Sequence, residues 1–160
     1  MPYSIALFVV LNITLFFRLH STSYNKLCGL IQQLAAKLKA SLGPDDPFRI
    51  AMTDELLDKL YRMGLINTTK SLQKAEEISA SAFCRRRIPV VMVRMKMAQN
   101  LKVAVTLVEQ GQVRVGVNVI TDPAFLVTRS MEDFLTWVDS SKIKRTVQRY
   151  NDKLDDFDLL

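Results

Sequence analysis

The sequence predicts an α+β domain, with helices first and a small β-sheet after them. Three observations carry that prediction. Apolar residues recur at helical spacing from Leu27 to Ile78. Directly after Gly111 the period changes to two, with Val113, Val115, Val117 and Val119 alternating against Arg114, Gly116 and Asn118. Gly43-Pro44, Gly64, Gly111 and Asp122-Pro123 punctuate the chain where such elements would end.

The first clear helix runs from Tyr24 to Ser41. Leu27, Leu30, Ile31, Leu34 and Leu38 form its apolar stripe, with Gln33, Lys37 and Lys39 off it. Gly43-Pro44 breaks it and Asp45-Asp46-Pro47 reads as a turn. Thr53 is a plausible N-cap for the next helix, in which Leu56, Leu57, Leu60 and Tyr61 face inward and Gly64 ends it. A third, shorter helix opens at Thr69 or Ser71 and reaches Ile78, with Leu72 and Ala75 on its apolar side.

Pro89 is compatible only with the first turn of a helix, so the next one should start near Arg86–Ile88. Asn100 caps a further helix over 101–110, closed by Gly111. Two short strands follow, with Gly116 or Asn118 at the turn between them, and 125–127 reads as a third strand. The spacing from Met131 to Val138 predicts a helix, and 142–150 a basic short helix or tail.

Composition narrows function before any motif does. The 160 residues are 49% apolar and 24% charged, a globular balance that excludes wholesale disorder. Two cysteines, Cys28 and Cys84, lack CxxC companions, which argues against a disulfide scaffold or a zinc ribbon. His20 is the single histidine and lies among apolar residues, so no Ser-His-Asp set can be built, and no GxxxxGK phosphate loop is present. The sequence is thus read as non-catalytic, without metal or cofactor.

The formal charge of +6 favours an anionic partner, nucleic acid first. Residues 78–108 hold six basic residues and no acidic one, while the rest of the chain carries 16 of each, so this stretch supplies the whole excess. Within it the cations do not form one stripe. Arg85, Arg86 and Arg87 make a basic first turn, and Arg94, Lys96 and Lys102 follow, with Arg87 and Arg94 on one face and Arg85 and Lys96 on the other.

Residues 1–17 are uncharged and apolar. They are short for a membrane span of about 20 residues and lack the basic start of a secretory signal. A targeting segment and an alternative start of the chain both remain open readings, and a membrane partner is not expected.

The order helix, short loop, helix ending in glycine, V-x-V strands, turn and F-L-V resembles the S4 family of small-subunit ribosomal proteins. Arg85 to Val127 carry the resemblance, with Leu107-VEQGQVRV-Val115 as its most specific core. Phe83-CRRR-Arg87, Leu56-LDKLYRMGLI-Ile66 and the long string from Thr121 to Arg145 are similar to the eukaryotic nucleolar, Imp-type branch of that family. The resemblance implies an S4-type (αL) RNA-binding module. It divides the chain into an atypical opening (1–17), an N-terminal helical region (18–82), the module (83–138) and a basic then acidic tail (139–160).

What the resemblance further implies is a non-catalytic component of the U3 small nucleolar ribonucleoprotein, in the nucleolus of the nucleus. Such proteins bind U3 snoRNA and small-subunit pre-rRNA, promote their pairing, and work with an Mpp10-type scaffold in the small-subunit processome. An alternative is a subunit that mainly docks on the scaffold, with secondary RNA contacts. Family members begin with a basic arm where this chain has apolar residues 1–17.

The residues expected to contact RNA are Arg85, Arg86, Arg87, Arg94, Lys96, Gln99, Asn100, Lys102, Arg114, Lys142, Lys144 and Arg145. Arginine and lysine neutralise phosphates and release counterions, and arginine adds a fork-like contact. Arg86, Arg87 and Arg94 rank above Arg85. Asn100 reads equally as a simple helix cap. The helix from Leu101 is apolar nearly all round, where S4 modules usually carry arginines. That predicts that Leu101, Val103 and Val105 are covered by another element or by a partner. Met92, Met95 and Met97 read as core filler, and Trp137 with Phe134 as core anchors in preference to base-stacking residues.

Overall fold

The computed structural model of the chain describes residues 21–41, 43 and 46–151. The apolar opening, His20, Pro44, Asp45 and the acidic stretch from Asp152 to Asp158 lie outside the described residues. Among the described residues no helix is long and apolar enough to cross a membrane.

Helix α1 spans Ser21–Ser41 and α2 spans Pro47–Arg62. Asp46, not Thr53, caps α2. Its carboxylate accepts from the Phe48 backbone N–H at 2.8 Å, and Pro47 occupies the first turn, where a missing N–H costs nothing. Asp46 and Pro47 of the expected turn are therefore the cap and first residue of the helix, Thr53 lies inside it, and Asp45 lies outside the described residues. Two short helices follow, α3 (Gln73–Glu76) and α4 (Ala80–Cys84), in place of one helix reaching Ile78.

α1 packs on α2, α3 and α4 to make a first core. Tyr24, Leu27, Cys28, Ile31, Leu34, Ala35 and Leu38 of α1 bury against Leu56, Leu57, Leu60, Ala75, Ile78 and Phe83. Tyr24 stacks on Phe83 with ring centroids 5.4 Å apart. Burial raises the pKa of the Tyr24 phenol and of the Cys28 thiol above their ordinary values. Leu30 and Tyr61, expected inward, are exposed.

The second core belongs to the rest of the chain. Helix α5 (Ile88–Arg94) has Pro89 in its first turn, as the sequence requires, and packs on α6 (Leu101–Glu109). The Asn100 side chain accepts from the Val103 N–H at 2.9 Å, so the predicted cap of α6 is in place. Strands β1 (Val113–Val115) and β2 (Asn118–Val119) form a hairpin. Gly116 takes the first of its two loop positions at φ +59°, as a type II′ turn demands.

Helix α7 (Arg129–Glu132), strand β3 (Leu135–Trp137) and helix α8 (Lys142–Tyr150) complete the fold. The sheet order is β2-β1-β3, all antiparallel, with Val113 opposite Trp137 and Val115 opposite Leu135. Two expectations are corrected here. Met131 to Val138 is not one helix, and 125–127 is not a strand of the sheet but pairs only as a bridge from Leu126 to Arg87. Ile88, Val91, Met92, Ala104, Val108, Val113, Val127 and Leu135 fill this core, with Met97 and Trp137 at its margin. Met92 and Met97 are filler as expected, whereas Met95 and Phe134 are exposed.

Candidate nucleic-acid interface

The acid-free stretch of the sequence becomes two different places in the fold. The first is the seam between the two cores. Segments 86–88 and 125–127 run side by side, with Ile88 N–H donating to the Phe125 carbonyl at 2.9 Å and Val127 N–H to the Arg86 carbonyl at 2.8 Å. Leu126 enters the first core and its neighbour Val127 the second.

Arg86 closes this seam with its side chain. It is only 5% exposed. Its Nε donates to the Val127 carbonyl at 2.8 Å, its Nη2 to the same oxygen at 2.5 Å, and its Nη1 to the Glu132 carboxylate. Burial pulls the guanidinium's pKa below its ordinary value, with the Glu132 charge opposing that pull. Arg94 reaches the same Glu132 oxygen from the surface. Arg86 was expected among the leading phosphate contacts. The structure instead encloses it at the seam, with three of its five donors engaged and almost none of its surface open to a ligand.

Gly64 makes room for it. A Cβ at Gly64 would lie 2.7–2.9 Å from the Arg86 guanidinium, and its φ of +74° also favours glycine. Arg129 forms a second clasp between the halves, one that charge counting along the chain does not single out. Its Nε donates to the Tyr61 carbonyl and its Nη2 to the Ile66 carbonyl, each at 2.8 Å, and its guanidinium lies 4.3 Å from the centre of the Tyr61 ring.

The second place is the outer edge of the α5–α6 pair. Lys96, Gln99, Asn100 and Lys102 are exposed there, whereas Arg94 is exposed where it meets Glu132, Arg85 is exposed beside residues 65–68, and Arg87 is half-buried. Arg85 donates to the Ser81 hydroxyl and Arg87 Nε to the Pro123 carbonyl, both at 3.3 Å, contacts that leave further donors on each guanidinium. Among the described residues Lys96 and Lys102 make no ion pair.

Lys96 is held in a conformation that lysine disfavours. Three helices, α2, α5 and α6, end in the same way. The residue after the cap adopts φ between +60° and +74° and donates to the carbonyl of the second-last helical residue, and the next N–H reaches one residue further back. In α2 and α6 that residue is Gly64 or Gly111, but in α5 it is Lys96 at φ 60°. Backbone strain at a non-glycine position of this kind points to function.

Of the other expected site residues, Arg114 and Lys144 share one partner. Arg114 Nη1 lies 2.6 Å and Lys144 Nζ 2.5 Å from the Asp139 carboxylate. Hydrogen bonding from Lys144 and then from Arg114 holds that carboxyl below its ordinary range. Lys142 and Arg145 are exposed on α8. On α6, Ala104 and Val108 bury inward and Val105 is half-buried. Leu101 and Val103 remain 52% and 43% exposed, so no element of the described chain covers them.

Residues 86–133 match the S4 domain family, and residues 12–85 match the ribosomal protein S4/S9 N-terminal domain family. The chain is 58% identical over 138 residues to the U3 small nucleolar ribonucleoprotein protein IMP3 of Mus musculus, covering 86% of this chain and 74% of that protein. Identity to the protein of the same name is 56% in Homo sapiens, with the same coverage. In Saccharomyces cerevisiae it is 54%, over 84% of this chain and 74% of that protein. Identity of that level over most of both chains, with the two S4 matches meeting at the Arg86 seam, places this chain in the IMP3 family of S4-like proteins.

Proposed function

We propose that this protein is a non-catalytic, RNA-binding component of the U3 small nucleolar ribonucleoprotein, acting in small-subunit ribosome biogenesis in the nucleolus. The observation that carries the reading is the pairing of IMP3-level identity with two exposed lysines on the S4 module, Lys96 and Lys102, that make no ion pair among the described residues. U3 snoRNA and small-subunit pre-rRNA are the RNAs it would hold. Lys96 and Lys102, together with Arg87, Arg85 and Arg94 elsewhere on the module, would lower the repulsion between two phosphate backbones and so speed their pairing. Gln99 and Asn100 sit at the loop between the two helices, within reach of sugars or base edges.

The test is salt-dependent binding of a structured U3 snoRNA fragment. In the variant Arg87→Gln/Lys96→Gln/Lys102→Gln, affinity should fall at least about tenfold. The slope of log K against log salt should shrink by roughly 0.7 for each cation that touches a phosphate. Unchanged affinity and slope would remove these residues from the interface.

A second reading has its own observation, the uncovered Leu101 and Val103 on α6. They suit docking on an Mpp10-type scaffold. Leu101→Asn/Val103→Asn should then abolish co-purification of the scaffold while leaving RNA affinity within about twofold.

A further inference from the structure

Sequence spacing separates Trp137, Arg114 and Lys144, and the fold brings them to one groove. It has a volume of about 420 Å³ and runs between strand β3, the end of α5 and helix α8. Met95, Met97, Leu135 and Trp137 supply apolar and aromatic lining, and Arg114, Thr136 and Lys144 supply the polar part. β3 is an edge strand, so the groove opens beside the sheet and not inside it.

We propose that this groove binds an unstacked nucleobase of single-stranded RNA against Trp137, with the flanking phosphates on Arg114 and Lys144. The proposal rests on the RNA-binding reading above and adds a second contact point to it. Three features select a nucleotide. Its volume lies within the roughly 300–1,000 Å³ of small-ligand sites. An aromatic wall beside two cations matches a ligand that joins a π-face to a phosphate. Met97 also lines the neighbouring hollow that holds Lys96 and Gln99, so the strand can pass from the groove onto the cationic edge of α5–α6.

Asp139 opposes an anion there, but it engages one donor of Lys144 and two of Arg114, and both side chains retain others. An acidic peptide added to the edge of β3 is the rival occupant. The strand is only three residues long, which gives such a peptide a short ladder.

Trp137 is the sole tryptophan of the chain, so its emission reports on the groove directly. The full-length protein is titrated with a single-stranded RNA octanucleotide, with an abasic phosphodiester of equal length, and with an Asp/Phe octapeptide. The expected result is saturable quenching by the RNA and none by the abasic strand. Arg114→Gln/Lys144→Gln should weaken octanucleotide binding about tenfold, as should Trp137→Leu read by anisotropy of a labelled strand. The double variant changes only partly exposed side chains, so it keeps the test valid if the tryptophan variant folds poorly.

If RNA binds with strong salt dependence while Trp137 emission stays constant, the groove assignment falls and the RNA-binding reading stands. Equal quenching by the abasic strand also overturns it, and quenching by the octapeptide alone gives the groove to an acidic protein segment. If no RNA binds at all, both readings fall.

Discussion

The seam and the outer edge of α5–α6 draw their cations from one acid-free run of sequence and use them in opposite ways. At the seam Arg86 is enclosed, with Glu132 and the Val127 carbonyl taking up its donors. At the edge Lys96 and Lys102 are exposed and make no ion pair among the described residues. The difference teaches that a charge run locates an interface but does not assign its members. Three successive residues show this. Arg85 is exposed, Arg86 holds the two cores together, and Arg87 caps α5 with its backbone while its side chain is half-buried.

The comparison breaks most visibly at Arg86. Arg86→Ala leaves the Glu132 carboxylate and the Val127 carbonyl without their main partner and opens the contact between the cores. It should cost about 3 kcal/mol in denaturant unfolding, with little dependence on salt. Arg86→Lys keeps the charge but not the fork, and should recover only part of that loss. If Arg86→Ala instead unfolds like the native chain and loses RNA affinity, the two regions have been assigned the wrong way round.

Gly64→Ala attacks the same seam from the backbone side. A Cβ there meets the Arg86 guanidinium and forces alanine into a left-handed conformation. The expected loss is about 2 kcal/mol. Coupling to Arg86→Ala in a double-mutant cycle would show that the two effects share one contact. Arg129→Ala removes two hydrogen bonds to carbonyls and the Tyr61 ring contact. It should cost about 1.5 kcal/mol, less than Arg86 because the site is partly open to water.

Much of this architecture was legible in the chain. Asn100 and Gly111 bracket α6 because a cap and a left-handed terminus are local demands that a single residue meets. Pro89 places α5 for the same kind of reason. β3 was not legible. Met131, Phe134, Leu135 and Val138 fall at helical spacing, yet Leu135–Trp137 pairs with β1, and tertiary pairing overrides a periodicity that short.

The N-cap of α2 was misplaced because Thr53 and Asp46 are both good caps. The deciding signal was Pro47, a proline standing directly after an aspartate. The burial of Arg86 needed the partner Glu132, 46 positions away, which spacing along the chain does not bring near it. The cluster of Arg114, Lys144 and Asp139 was hidden for the same reason, since a sheet register and a turn bring it together.

The smallest effect separates the two regions most cleanly. α5 ends in the same hydrogen-bond pattern as α2 and α6, but with lysine where they have glycine. Lys96→Gly should therefore relieve strain. The extra chain entropy of glycine in the unfolded state offsets part of that gain, so the net stabilisation is about 0.5 kcal/mol. The same substitution removes an exposed cation with no ion pair among the described residues, and RNA affinity should drop with a salt slope reduced by roughly 0.7. Stability and binding would thus move in opposite directions at one residue, which neither a structural role nor a solvated surface charge produces. Unfolding curves and salt-series binding on one preparation decide it. A variant less stable than the native chain would mean that the Lys96 side chain supports the loop, and one that binds RNA as before would take Lys96 out of the interface.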